Sequence, residues 1–320
     1  MNAEIINFLR NGWRNLFSHT ISLYEKGIFM RISRVPRLLK ARLAVARVSL
    51  AIAGTLLGAG LTGAAYAAAG AAHARAQTPD PGVKPTIVLV HGAFADNSSW
   101  GAVVPRLQRL GYTVDVPPNP LRGVSYDSAY LSDFLSTISG PVVLVGHSYG
   151  GFIITNVGAS DPEVKALVYV DSYLPAAGET LAHLNSVVPG SCITPKILNV
   201  VPFPGSAPGD ADLYVKPNAF PGCFANGLPH AEAATLAAEQ LPPAASVLNE
   251  KLTATPAWKT IPSWDVIGTA DRLDLPAEQL RMADRAHAHI TEIKAPHLAM
   301  ATDPSAVTKV ITEAAKATAG

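Results

Sequence analysis

The fold of this chain is indicated by a run of apolar residues, Val142–Val145, that leads directly into Gly146-His147-Ser148-Tyr149-Gly150-Gly151. Glycines on both sides of Ser148 permit a sharp, strained turn between a strand and a helix, which pushes the serine hydroxyl out at the edge of a sheet. A Gly-x-Ser-x-Gly string alone is common by chance. The apolar run before it and the helical pattern after it supply the context in which it carries a nucleophile, so we predict that Ser148 is one.

Short apolar runs alternate with helical patterns from Thr86 onward, which is typical of a parallel sheet buried on both faces. Six runs are predicted to be strands: Ile87–Val90, Thr113–Val116, Val142–Val145, Ala166–Val170, Ser263–Ile267 and His289–Ile293. The crossovers that parallel strands require are predicted helices: Gly101–Leu110, Tyr126–Ser139, Tyr149–Gly158, Pro276–Ala286 and Pro304–Ala317. The predicted fold class is therefore α/β, with a mostly parallel sheet of about six strands and helices on both faces.

The regular alternation stops between about residues 172 and 262, where Pro and Gly cluster. We expect helices at His230–Leu241 and at Ala244–Leu252 in this segment. A long structureless loop is uncommon in a compact domain, whereas an insertion over the carboxyl ends of parallel strands can shape a pocket. The segment is therefore interpreted as a lid insertion rather than a surface excursion without function.

A serine hydroxyl needs a base to take its proton and an acid to orient that base, in the chain order Ser, acid, His for a nucleophile on such a turn. His297 follows the last predicted strand and precedes the last helix, which is where the base is expected. Asp271 follows the preceding strand and is the first choice for the acid. Asp274, nearby, and Asp171, at the end of an earlier strand, remain alternatives.

Backbone N–H groups must also stabilise the oxyanion of a tetrahedral intermediate. One is expected to be that of Tyr149, directly after the nucleophile. The other should come from the loop after the first strand, where we choose Ala93, with Phe94 second. The His91-Gly92 pair before them is also compatible with a plain turn that contains a hydrogen-bonded histidine.

At these residues the chain resembles the α/β-hydrolase superfamily from about Thr86 to its C-terminus. Finer features, including Val90-His91-Gly92-Ala93-Phe94-Ala95-Asp96 and Pro117-Pro118-Asn119-Pro120-Leu121, are similar to a bacterial branch of small hydrolases related to the plant methylesterase and hydroxynitrile lyase group. The resemblance implies hydrolysis of carboxylic esters with no metal and no organic cofactor. Pro296 departs from the pattern, since relatives often have Ser or Gly before the histidine.

Three functions remain open on this evidence. The first is a carboxylesterase that forms an acyl-enzyme on Ser148. The second keeps the same three residues for hydroxynitrile-lyase-like or cofactor-free perhydrolase chemistry, because a fold and a triad do not fix the reaction. The third is a non-catalytic binding protein on a hydrolase fold, which usually lacks one of the three residues, and none is missing here.

The amino-acid composition of the chain limits the kinds of molecule that it is expected to bind. Among 320 residues, 48% are hydrophobic and 15% are charged, so the chain can bury a large core and is not a long disordered protein. The formal net charge is only +1, which gives no overall field to attract nucleic acid. We expect a small-molecule ester as substrate and no nucleic acid partner, and the oligomeric state stays open.

The first 76 residues have the pattern of an export signal. Six basic residues and no acid lie between Arg31 and Arg47, an apolar run follows over 48–72, and Ala74-Arg75-Ala76 suits a signal peptidase. We therefore divide the chain into an N-terminal extension with export signal, 1–76, and a hydrolase domain, 77–320, that is periplasmic or secreted and not bound to a membrane once the signal is removed. The alternative is a permanent anchor formed by an uncleaved 48–72, which is long enough to span a bilayer.

Cys192 and Cys223 both lie after the expected cleavage site. In an oxidising compartment they could close a loop by a disulfide, and two separate buried thiols are the alternative. Export favours the disulfide. We assign the cysteines no catalytic or metal-binding role.

Overall fold

The computed structural model describes residues 83–318, so the predicted export segment lies outside the described residues. The strands are β1 (Thr86–Val90), β2 (Val114–Asp115), β3 (Val142–Ser148), β4 (Val164–Ser172), β5 (Leu198–Val201), β6 (Asp212–Val215), β7 (Ser263–Gly268) and β8 (His289–Ile293). The helices are α1 (Val104–Arg109), α2 (Val124–Leu135), α3 (Tyr149–Val157), α4 (Leu181–Val187), α5 (His230–Glu239), α6 (Pro276–Ala286), α7 (Ala299–Thr302) and α8 (Pro304–Ala317).

The main sheet has six strands in the order β2-β1-β3-β4-β7-β8, and every neighbouring pair is parallel. All seven residues of β3 are buried. Because successive side chains of a strand point to opposite faces, helices must cover both faces of the sheet at this strand. On the helical layers, α1 packs against α8 and α2 packs against α3. The predicted six-stranded parallel sheet with helices around it is confirmed.

The order of the strands in the sheet determines where the site lies. The chain runs from β1 outward to β2 and then returns to place β3 on the other side of β1. The loops that leave the carboxyl ends of β1 and β3 therefore begin next to each other, at a point where the direction of winding reverses. Ala93 lies in the loop after β1, and Ser148 is the last residue of β3.

Several element boundaries differ from the prediction. The edge strand β2 has two residues instead of four, because only Val114 and Asp115 pair with β1. The helix predicted over Ala244–Leu252 is wrong, since only a short 3-10 turn forms there, Ala245–Leu248. The reason lies in the bonds of the following residues: the Leu252 N–H donates to the Glu179 carbonyl, and the Leu252 carbonyl accepts the Gly178 N–H. These long-range bonds take up the N–H and carbonyl groups of Leu252 that a helix would otherwise use.

The segment between β4 and β7, residues 173–262, contains α4, α5 and a separate two-stranded sheet in which β5 and β6 are antiparallel. A disulfide joins Cys192 and Cys223 inside this segment, with their Cα atoms 5.6 Å apart. The pair that the sequence suggested is therefore bonded. No helix within residues 83–318 has the length and apolar character to cross a membrane.

Candidate active site

Ser148 lies at the junction of β3 and α3 in a strained backbone conformation, with φ 50° and ψ −124°. Glycine is required on either side of Ser148, because a larger residue would clash with nearby backbone atoms. A Cβ atom on Gly150 would lie 2.4 Å from the carbonyl oxygen of Val90, and one on Gly146 would lie 2.6 Å from the Gly151 nitrogen. The predicted turn therefore forms because Gly146 lets β3 and α3 approach each other closely and Gly150 lets α3 approach the end of β1.

Asp271 and His297 meet at the carboxyl ends of β7 and β8. The Nδ1 of His297 donates to Oδ2 of Asp271 at 2.9 Å, and both side chains are buried. The other hydrogen bonds of Asp271 come from Gln279 Nε2 on Oδ2 and from the N–H groups of Leu273 and Asp274 on Oδ1. With Nδ1 protonated toward Asp271, Nε2 of His297 keeps the lone pair that a base needs.

The structure separates the three candidate acids. Asp271 pairs with His297, whereas Asp274 faces the nucleophile: Ser148 Oγ donates to Oδ2 of Asp274 at 3.4 Å. Asp171 accepts the backbone N–H groups of Gly268 and Ala299 at 2.7 and 3.0 Å. Asp171 thereby joins the loop that carries Asp271 to the loop that carries His297.

Ser148 and His297 are not joined by a hydrogen bond in this structure. Nε2 of His297 is buried and has no hydrogen-bond partner within residues 83–318. Catalytic hydrogen bonds are often long or misaligned in a protein without substrate, so this arrangement does not exclude a base role for His297. A turn of the serine hydroxyl from Asp274 toward Nε2 is the motion that the chemistry requires.

The charges around His297 favour its protonated form. Burial is the largest single effect and lowers its pKa, but the charge and hydrogen bond of Asp271, together with the charges of Asp274 and Asp171, outweigh it and raise the pKa to about 9. Burial raises the pKa of Asp274 to about 8. Burial also holds the pKa of the neighbouring His147 well below its ordinary value, so that imidazole is neutral.

His147 and His91 have structural contacts. Nε2 of His147 donates to the carbonyl oxygen of His297 at 3.0 Å and so links the nucleophile turn to the histidine loop. Nδ1 of His91 bonds the Gly92 carbonyl, and its Nε2 accepts the N–H of Asn119. The His91-Gly92 pair is thus a turn with a hydrogen-bonded histidine, and it leads directly into the loop that carries Ala93.

Two backbone N–H groups are available beside Ser148. Tyr149 is the first residue of α3, so its N–H has no acceptor within the helix. The Phe94 N–H is occupied, since it donates to the Leu241 carbonyl at 3.1 Å, whereas that of Ala93 has no partner within residues 83–318. The geometry therefore favours Ala93 over Phe94. The Tyr149 ring is fixed by its hydroxyl, which donates to Asp127 Oδ2 at 2.9 Å.

Comparison with known protein families identifies the family of this chain. The model of the alpha/beta hydrolase family matches residues 87–310, which is most of the chain. The chain belongs to the alpha/beta hydrolase family.

This alpha/beta hydrolase is 32% identical over 110 residues to a carbendazim hydrolyzing esterase of Nocardioides sp. (strain SG-4G), a match of 30% of this chain and 46% of that protein. It is 34% identical over 108 residues to a pyrethroid hydrolase of Sphingobium wenxiniae, a match of 29% of this chain and 38% of that protein. The chain thus aligns with less than half the length of these relatives. The crystal structure of polyneuridine aldehyde esterase superimposes with a TM-score of 0.61 at 19% identity, over 72% of this chain and 99% of that one, which supports the fold.

A cavity of about 320 Å³ opens at Ser148 in this alpha/beta hydrolase. Ala93 and Tyr149 line it beside the nucleophile. Most other walls are apolar and come from the segment 173–262, among them Leu181, Ile193, Leu198, Leu213, Phe224 and Leu248. The few polar side chains around it besides Ser148 include Tyr173, Asn185 and Thr194.

Sequence reasoning missed the contact between Asp274 and Ser148, and it missed Tyr173 and Asn185 altogether. Tyr173 follows β4 directly, and the position after a parallel strand is a usual one for site residues, so a signal was present. Asn185 lies on α4 in the middle of the irregular segment, and no motif marks it. Within the described residues, no group of three or more His, Cys, Asp or Glu side chains is arranged to hold a metal ion.

Proposed function

We propose that this protein is a serine hydrolase that cleaves small carboxylic esters through an acyl-enzyme on Ser148. The observation that carries the proposal is the buried hydrogen-bonded pair of Asp271 and His297, together with a strained serine at a cavity that Ala93 and Tyr149 also line. Nucleophile, base, orienting acid and oxyanion donors are the parts that acyl transfer needs.

The reaction then proceeds in two halves. Ser148 Oγ attacks the ester carbonyl carbon and gives its proton to Nε2 of His297, while the Ala93 and Tyr149 N–H groups stabilise the oxyanion. His297 returns that proton to the departing alcohol as the bond from the carbonyl carbon to the alcohol oxygen breaks. Water then gives a proton to Nε2 of His297 and attacks the acyl carbon. His297 returns that proton to Ser148 Oγ as the bond from the acyl carbon to Oγ breaks, which releases the acid and the free serine.

The cavity supports small, mainly apolar esters as the substrate class. Its volume, about 320 Å³, lies at the small end of ligand pockets, which run from roughly 300 to 1,000 Å³. Its walls bury apolar groups and offer few polar contacts away from Ser148. The segment 173–262 supplies most of these walls, which supports its role as a lid that selects the substrate.

The similar proteins favour ester hydrolysis over the other readings. Three of them are named as a carbendazim hydrolyzing esterase, a pyrethroid hydrolase and a polyneuridine aldehyde esterase. None of these names describes a lyase, a perhydrolase or a non-catalytic binding protein. Hydrolysis is therefore the function proposed for this chain.

A panel of p-nitrophenyl esters of increasing acyl length tests the proposal. We expect hydrolysis of the short esters, a burst of p-nitrophenol equal to the enzyme concentration if deacylation is slower than acylation, and loss of both in Ser148→Ala. Ser160→Ala, which changes an exposed serine after α3, is the matched control and should keep the activity. A folded protein that hydrolyses no ester in the panel would contradict the proposal.

We also propose that the protein is exported. The basic and apolar pattern of 31–76 supports this, and so does the bond between Cys192 and Cys223, since disulfides persist mainly in oxidising compartments. Mass spectrometry of the protein from its native cells should find a mature N-terminus at Gln77. An intact 48–72 in a membrane fraction would instead indicate an anchor.

A further inference from the structure

Asp274 brings a second carboxyl group to the nucleophile. Its side chain is buried, and its Oδ2 accepts the hydroxyl hydrogen of Ser148. A serine hydroxyl has one hydrogen to donate, so it cannot bond Asp274 and Nε2 of His297 at the same time. Because Nε2 is the acceptor that acyl transfer requires, the contact with Asp274 is a competing state of the nucleophile.

The carboxyl group of Asp274 is held in place from several directions. Its backbone N–H donates to Asp271 Oδ1 at 3.1 Å, and Gln279 bonds both Asp271 Oδ2 and the Asp274 carbonyl. The hydroxyl of Tyr173 bonds Asp274 Oδ1 and lies 2.8 Å from Oδ1 of Asn185. The loop that orients His297 through Asp271 therefore also fixes Asp274 against Ser148.

We propose, on the basis of the proposed function, that Asp274 is a positioning residue whose carboxyl group competes with His297 for the hydroxyl hydrogen of Ser148. Its negative charge has a second effect, because an anion beside His297 stabilises the imidazolium, which cannot act as a base. The hydrogen bond opposes catalysis whenever it forms, and the charge adds to this effect at alkaline pH, where Asp274 is ionised. Asp274 thus moves the onset of activity toward alkaline pH.

The charged neighbours of the two groups are few. His297 is surrounded by the carboxyl groups of Asp271, Asp274 and Asp171 and by the neutral imidazole of His147. Asp274 faces Tyr173, while Glu278 on α6 lines the same small cavity behind it. Burial raises the pKa of Asp274 to about 8, so this carboxyl changes its charge within the range in which the enzyme is assayed.

The test is the pH dependence of kcat/KM for a p-nitrophenyl ester in Asp274→Asn and Asp274→Leu. Loss of the negative charge lowers the pKa of His297, so the acid limb of the profile should move to lower pH by about one unit in both variants. Between about pH 8 and 9, where Asp274 is ionised in the unmodified protein and His297 is still largely protonated, this corresponds to a gain of up to roughly tenfold in kcat/KM. A residue that served only to support the fold would lower activity without moving the limb.

Asp265→Asn is the matched control. Asp265 is a buried carboxyl on β7 with no hydrogen-bond partner within residues 83–318, so it is bonded neither to Ser148 nor to His297. The same chemical change there should leave the acid limb in place. An equal shift in Asp265→Asn, or no shift in either Asp274 variant, would overturn the proposal.

A crystal structure of Asp274→Leu gives a readout independent of rate. Without the competing acceptor, Ser148 Oγ should lie within about 2.6–3.2 Å of His297 Nε2. A hydroxyl that still points away from Nε2 would contradict the competition. If both Asp274 variants fail to fold, Tyr173→Phe takes their place. This variant removes a donor that stabilises the Asp274 anion, so the acid limb should move in the same direction by a smaller amount. An acid limb that does not move would overturn the proposal.

Failure of this inference is distinguishable from failure of the proposed function. Hydrolysis by the unmodified protein that is lost in Ser148→Ala supports the function whatever Asp274 does. An active enzyme whose acid limb does not respond to Asp274 refutes the positioning role alone.

Discussion

At the residue scale, the site depends on how three buried carboxyl groups are divided between one imidazole and one hydroxyl. Asp271 orients His297, Asp274 contacts Ser148, and Asp171 binds backbone N–H groups. The three aspartates have different hydrogen-bond partners, so the same type of side chain has a different effect at each position. The protonation of His297 is the property on which these effects converge.

The proposed hydrolase should therefore work best at alkaline pH. Catalysis needs neutral His297, and after the opposing effect of burial the surrounding carboxylates raise the pKa of this imidazole from 6.5 to about 9. The acid limb of kcat/KM should thus have its midpoint above pH 6.5 and toward 9. Ester hydrolysis followed from pH 5 to 10 measures this, and a midpoint at or below 6.5 would show that the carboxylates do not act on His297 as described.

The choice among the three acids shows the limit of sequence reasoning at this scale. Asp271 and Asp274 are three residues apart in one loop, and each satisfies the expected chain order. Which carboxylate meets Nδ1 depends on the turn that the Leu273 and Asp274 N–H groups make around Asp271, and on Gln279 from the next helix. These contacts are set by packing and leave no pattern in the sequence.

At the element scale, Asp171 connects the loops after β7 and β8 at the carboxyl end of β4. It has a positive φ of 43°, which is strained for a residue with a Cβ. Its two oxygens accept the N–H groups of Gly268 and Ala299. The strain is offset by these two bonds, which hold the acid and histidine loops side by side.

Asp171→Ala should destabilise the fold and disturb the site together. Two buried N–H groups lose their acceptors, at about 1–3 kcal/mol each, so we expect a loss of about 2–6 kcal/mol in the free energy of unfolding and a fall in kcat. Urea unfolding followed by circular dichroism measures the first effect, and ester hydrolysis measures the second. An unchanged midpoint with unchanged kcat would show that the loops hold their position without Asp171.

The disulfide between Cys192 and Cys223 also connects segments near the site. The Cys192 N–H donates to the Arg272 carbonyl, and the Arg272 side chain donates to the Gly222 carbonyl beside Cys223. The two ends of the bond therefore flank the residue after Asp271. The disulfide ties the segment 173–262 to itself at the place where it contacts the acid loop.

Loss of the disulfide should lower stability more than it changes chemistry. The cysteines are 31 residues apart, so the chain-entropy model predicts a loss of about 3–4 kcal/mol in Cys192→Ser/Cys223→Ser. Denaturant unfolding of this double variant beside the oxidised and the reduced protein measures it. A loss below about 1 kcal/mol in both cases would mean that the contacts around Arg272 suffice to hold the segment.

At the scale of the whole molecule, the sheet was predictable and the segment 173–262 was not. Apolar runs such as Val142–Val145 are long, buried on both faces and bounded by turn residues, so their periodicity is decided locally. The segment instead depends on distant bonds. Glu250, for example, accepts the N–H groups of Val124 and Ser125 at the start of α2, more than 120 residues away.

The buried carboxyl groups should make the molecule less stable as the pH rises. Burial raises the pKa of Asp265 well above its ordinary value, and neither of its oxygens has a hydrogen-bond partner within residues 83–318. Above about pH 4 the unfolded chain releases this proton while the folded protein keeps it, so ionisation favours unfolding. Asp265→Asn should raise the melting temperature at pH 7 and leave it nearly unchanged at pH 4. A lower melting temperature at pH 7 would contradict this.

Covalent labelling tests the central claim most directly, because it asks whether one hydroxyl among all those of the chain is activated. After incubation with a fluorophosphonate, intact mass spectrometry and peptide mapping should find one phosphonyl group, on Ser148, and none in Ser148→Ala or after thermal unfolding. Labelling that persists in Ser148→Ala, or a folded protein that takes up no phosphonate at pH 9, would contradict the account.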